Sequence, residues 1–125
     1  MIPAPFEVET QEIEGGVTVM TIRGELDMNT APDLERSLDA ASAQESPAIL
    51  IDLSECEFID STGVALIIRA WQKVDRDGGD GNGRLVLCCP NSQVRRLLDI
   101  TGVESSISMH DSVEDSRAEL QGAPS

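Results

Sequence analysis

The stretch PAILIDLSECEFIDSTGVALIIRAWQKV, Pro47–Val74, decides how this chain folds. It begins with PAILIDL, a continuous apolar run too short for an ordinary helix and typical of a strand buried on both faces of a sheet. From Ser61 onward the period changes: Val64, Ile67, Ile68 and Trp71 recur at helical spacing, so a helix opens there and buries one side. Downstream, the Gly-rich DRDGGDGNG breaks the chain before RLVLCCP, a second buried strand. Strand, helix, strand is the parallel crossover pattern.

Working outward, FEVETQEI and VTVMTIRG are separated by Glu14, Gly15 and Gly16, which predicts a β-hairpin. In MNTAPDLERSLDAASAQ, Leu34, Leu38 and Ala41 share one helical face and Thr30 precedes Pro32 and Asp33. That predicts a helix of about four turns with Thr30 as N-cap. Beyond Pro90, NSQVRRLLDITG places Val94, Leu97 and Leu98 together, with Asn91 or Ser92 as cap and Gly102 as terminator. The remainder predicts a short strand near Ile107 and a last helix after Asp111. The expectation is a single α/β domain over residues 1–125, with a core at 6–120 and frayed tails at Met1–Pro5 and Gly122–Ser125. Its mixed central sheet should hold about four to five strands, with about four helices.

With 125 residues, 40% of them hydrophobic, the chain can bury one core. A formal net charge of -14 makes approach to phosphate backbones or anionic bilayers unfavourable, so neither nucleic acid nor membrane is an expected partner. The sequence shows no apolar run of membrane-spanning length and no signal-peptide pattern, so a cytoplasmic protein is expected. The cysteines agree: Cys56, Cys88 and Cys89 are odd in number and lack the spacing of a disulfide framework. Side chains alternate along a strand, so at most one of Cys88 and Cys89 should face the core.

Catalytic and metal-binding readings fail on their partners. Ser61 sits at a strand-to-helix turn, but a nucleophile elbow needs glycine where Ile59 stands, and the only histidine is His110. Asp75, Asp77, Asp80 and Asn82 suggest calcium, yet the EF-hand register meets Gly79 and Val86 where oxygen ligands belong. The same glycines lack the Gly-Lys-Ser/Thr of a phosphate-binding loop, and His and Cys show no zinc spacing. Asp52 could be a receiver-type phosphoacceptor, but the early acidic pair and late lysine are missing, which leaves a strand-end residue bonded to loop amides. No enzyme activity, cofactor or metal is expected.

The entrance Asp60-Ser61-Thr62-Gly63 offers free N–H donors at a positive dipole end, able to hold a carboxylate or a phosphate on Ser61. By itself it is a cap, with Asp60 or Ser61 as the capping residue.

Three linked motifs extend this reading. GELDMNTAPDL, ILIDLSECEFIDSTGVALI and LVLCCPNSQVRRLLDITGVESSI stand in order and at spacing that resembles the STAS domain of bacterial anti-sigma factor antagonists, over roughly Phe6 to Leu120. The resemblance implies that Ser61 is phosphorylated by a cognate anti-sigma factor that is itself a serine kinase. It implies that the unphosphorylated form binds this kinase and frees a sigma factor, and that a serine phosphatase resets the switch. By the same resemblance Asp27, Met28, Asn29, Thr30, Asp60, Thr62, Gly63 and Val64 belong to the partner-binding region. Ala65 departs from the family, which often has a second glycine there. The rival within the fold is a domain that binds a small ligand or docks in a larger signalling complex, with Ser61 only a cap.

Overall fold

The computed structural model describes residues 6–44, 47–76 and 83–121. In chain order the elements are β1 (Glu7–Ile13), β2 (Val17–Leu26), α1 (Ala31–Ser42), β3 (Ala48–Asp52), β4 (Cys56–Ile59), α2 (Ser61–Trp71), β5 (Arg84–Cys88), α3 (Ser92–Thr101), β6 (Met109–His110) and α4 (Val113–Leu120). β1 and β2 form the expected antiparallel hairpin. Its turn needs φ of 85° at Gly15 and 76° at Gly16, values that residues with a side chain rarely adopt. All other pairings are parallel, and the sheet runs in the order β1-β2-β3-β5-β6, with β4 beside β2.

Alternation along the central strands feeds two cores. Ile49 and Ile51 of β3 and Leu85 and Leu87 of β5 pack with Leu34, Leu38, Ile67, Val94 and Leu98 from α1, α2 and α3. Leu50, Val86 and Cys88 point the other way and meet Leu120 of α4. Three crossover helices therefore cover one face and α4 the other, as successive right-handed crossovers stepping one way across a sheet require. Each such fully buried aliphatic side chain contributes roughly 1.5–3 kcal/mol relative to exposure.

The arrangement of β3 and β4 positions everything that follows. Residues 17–21 of β2 pair with β3; then a register shift at Gly24/Glu25 lets residues 24–26 pair with β4. Thus β4 continues the lane of β3 along the same neighbour. It delivers Asp60 beside the end of β2, where the Asp60 amide donates to the Leu26 carbonyl at 3.1 Å.

Several expectations change. Among the described residues the sheet has six strands rather than four to five, because β4, with only four residues, leaves no periodic signal. The short strand expected near Ile107 is β6, which begins two residues later, while Ile107 itself is buried in the larger core. α2 ends at Trp71 and continues as a π-helical turn, Gln72–Arg76. Thr30 occupies the N-cap position of α1 without a side-chain capping bond. Cys88 and Cys89 both pack on the α4 side, because Cys89 has φ 65° and leaves the strand's alternation. Asn91 rather than Ser92 caps α3, accepting the Val94 amide at 2.8 Å, and Gly102 ends that helix with φ 77°. Both expected frayed tails and most of the acidic loop Asp75–Gly83 lie outside the described residues.

Candidate functional site

Two chain segments converge at the entrance of α2. Asp60 is extended, with φ -108° and ψ -176°, and its carboxylate accepts the Gly63 amide at 3.0 Å while its carbonyl accepts the Val64 amide at 3.0 Å. This is an N-cap worth about 1 kcal/mol, and it leaves Ser61 and Thr62 exposed on the first turn, at the positive end of the helix dipole.

Gly63 lies at the closest approach between this turn and β2. A Cβ there would sit 2.7 Å from Leu26 Cγ and 2.9 Å from Ile59 Cγ1, inside van der Waals contact, so only glycine fits. Gly63 and Val64, which the resemblance placed in the partner-binding region, are both buried and seat the helix entrance on the end of β2.

The second segment is Asp27–Thr30. The Asp27 carboxylate accepts the amides of Asn29 at 2.9 Å and Thr30 at 3.1 Å, bracing the loop just ahead of α1. The Thr30 hydroxyl instead donates to the Glu25 carbonyl at 2.8 Å and accepts the Asp27 amide at 2.9 Å. Loop and helix start are thus tied to the strand they leave. The loop presents Met28, which is 70% exposed.

On the far side of the entrance, β4 and α3 enclose a groove of about 480 Å³. Phe58, Ile59 and Asp60 line one wall and Val94, Leu97 and Ile100 the other. Phe58 and Ile100 are exposed. The sequence reading overlooked this groove, because it depends on β4; the one available signal was Phe58, an aromatic residue in a chain with 2% aromatics.

The residues weighed for other chemistry are occupied elsewhere. His110 pairs with Glu119 of α4 at 2.7 Å, and the Asp52 carboxylate accepts the Ser54 amide at 2.9 Å, as expected of a strand-end residue. Burial pushes the Cys56 and Cys88 thiols above the usual thiol range. All three cysteines are free. Among the described residues no helix is long and apolar enough to cross a membrane.

Comparison with known proteins agrees with this geometry. An anti-sigma F factor antagonist of Paenibacillus polymyxa is 27% identical over 107 residues, covering 85% of this chain and 88% of its own. An anti-sigma-F factor antagonist of Mycobacterium tuberculosis is 27% identical over 107 residues, covering 86% and 84%. The crystal structure of an anti-sigma factor antagonist from Mycobacterium paratuberculosis superimposes with a TM-score of 0.83 at 28% identity, over 96% of this chain and 99% of that one. The family model for the STAS domain matches residues 8–116, and the chain belongs to that family.

Proposed function

We propose that this protein is an anti-sigma factor antagonist switched at Ser61. Unphosphorylated, it binds a cognate anti-sigma factor that is a serine kinase, and so releases a sigma factor; phosphorylation of Ser61 ends the complex, and a serine phosphatase restores it. The names of its relatives support the first part. The observation that carries the second is the exposed Ser61 on the open first turn of α2, beside the braced loop that displays Met28.

The physical logic is electrostatic. A neutral serine beside Met28 and Thr62 leaves a surface that a partner can cover. A phosphate adds about two negative charges there, next to Asp60 and the Asp27 loop, on a chain that is already strongly acidic. A hundredfold loss of affinity needs about 2.7 kcal/mol. One close like-charge pair near a protein surface approaches about 4 kcal/mol at an effective dielectric constant of 20, so a single repulsion across the interface suffices. In this reading the chain performs no catalysis, needs no cofactor and acts in the cytoplasm, with kinase and phosphatase supplying the chemistry.

The test uses the purified chain and the anti-sigma factor of its own organism with ATP. Mass spectrometry should place a single phosphate on Ser61, and calorimetry should show that Ser61→Ala binds while Ser61→Asp and the phosphorylated chain bind at least tenfold more weakly. A phosphate mapped elsewhere, or equal binding by both variants, refutes the switch. The groove beside Asp60 supports a second reading, a domain that takes a small apolar ligand; equal binding by both variants together with loss of binding in Ile100→Asp favours it.

A further inference from the structure

We propose that Asp52, Cys88 and Cys89 form a binding site for a thiophilic divalent cation, Zn²⁺ by the chemistry of the donor set, on the face of the sheet opposite Ser61. The carboxylate oxygen and the two sulfurs lie within 4.8 Å of one another, at the adjoining carboxyl ends of β3 and β5. Around a tetrahedral zinc ion, bond lengths of about 2.3 Å to sulfur and about 2.1 Å to oxygen place such donors roughly 3.5–3.8 Å apart. Binding would draw the donors together by up to about 1 Å, through rotation about their side-chain bonds.

Consecutive strand residues cannot normally share one ligand, because their side chains point to opposite faces. Here the left-handed backbone of Cys89, the one non-glycine residue with positive φ among the described residues, turns its side chain onto the α4 face with Cys88. The hydrogen bonding holds that turn. The Cys89 amide donates to the His110 carbonyl at 2.9 Å, and the Leu53 amide donates to the Cys88 carbonyl at 2.9 Å. Asp52 is oriented by the Ser54 amide, which its carboxylate accepts at 2.9 Å. Such outer contacts hold metal ligands in place. Cys88 is enclosed, whereas Asp52 and Cys89 are half-buried and give the ion a way in from solvent. Motif spacing missed the site because its third ligand is 36 residues away and its sulfurs are adjacent, an arrangement that zinc patterns do not include.

On binding, each thiol loses its proton to the buffer, two sulfur–metal bonds and one oxygen–metal bond form, and water takes the fourth position. The test is a zinc titration of the reduced, chelator-treated protein against a chromophoric chelator, followed by cobalt substitution to read thiolate-to-metal charge transfer. The expected result is one equivalent per chain at micromolar affinity or tighter, with two thiolates on cobalt. Cys89→Ser and Asp52→Asn, both at half-buried positions, should each weaken binding at least tenfold. Cys56→Ser, in the other core, should leave it unchanged. No stoichiometric binding, binding that survives Cys89→Ser, or one metal per two chains overturns the proposal; far-ultraviolet circular dichroism on each variant separates loss of the ligand from loss of the fold.

Discussion

Replacing Gly63 by alanine sets two effects of opposite sign against each other. In an exposed helix the change stabilises by about 1 kcal/mol, because alanine restricts the unfolded chain and favours helical geometry. At Gly63 the new methyl would lie 2.7 Å and 2.9 Å from Leu26 Cγ and Cδ2 and 2.9 Å from Ile59 Cγ1. Unstrained carbon contacts are about 3.5–4.0 Å, so three atoms must each yield by close to 1 Å. Neither neighbour has room, since Leu26 is 0% and Ile59 2% exposed. Overpacking of this kind costs roughly 1–3 kcal/mol, and three simultaneous clashes against buried atoms place it at about 2–3, which after the propensity gain leaves a net loss of about 1–2 kcal/mol. Urea unfolding should show a midpoint lower by roughly 0.5–1.5 M at unchanged slope. Leu26→Val provides the internal control. Alone it should cost about 1 kcal/mol; in the Gly63→Ala background it should cost at least 0.5 kcal/mol less, since the shorter side chain relieves the clash. A Gly63→Ala variant as stable as the parent, or more stable, refutes the claim that α2 is seated on β2 through this contact.

Two further outcomes follow from other contacts. Asn91→Ala removes both the cap of α3 and a 2.9 Å bond from the Asn91 side-chain amide to the Cys56 carbonyl at the start of β4, for about 2 kcal/mol and a fall in Tm of roughly 5–10 °C. Asn91→Asp, which keeps the capping acceptor and loses the donor, should recover part of it, and an unchanged calorimetric melt for Asn91→Ala would contradict the assignment. In the reduced native protein at pH 8, iodoacetamide followed by mass spectrometry should find Cys89 alkylated first. Cys56 and Cys88, both 0% exposed and raised in pKa by burial, should react only as the fold opens; equal rates at Cys56 and Cys89 would be inconsistent with this core.

What the sequence disclosed and what it concealed divide along a physical line. β3, β5, α1, α2 and α3 write their burial into a local period: Ile49 to Ile51 as a run, Val64 and Ile67, or Val94 and Leu98 at helical spacing. Asp60 as cap and Gly102 as terminator are equally local, since each acts within its own turn. β4 is different. Cys56 and Ile59 are buried while Glu57 and Phe58 are exposed, an order that breaks strand alternation and would fit one turn of helix equally well. Its identity as a strand comes from pairing with residues 24–26 of β2, more than 30 residues away in sequence, after the register shift at Gly24. Such a pairing leaves no mark in a short window. Everything that depends on β4 was hidden with it: the groove under Phe58 and Ile100, and the contact that forces glycine at position 63. The same holds for Thr30, whose hydroxyl looks like a cap in sequence but is engaged by the Glu25 carbonyl and the Asp27 amide, while the Asp33 amide goes to the Thr30 carbonyl. For Cys88 and Cys89, alternation predicted opposite faces, and a single backbone dihedral at Cys89 reversed that. The residues proposed as the switch were legible as a motif, while the geometry that holds them together arises from pairings between distant segments.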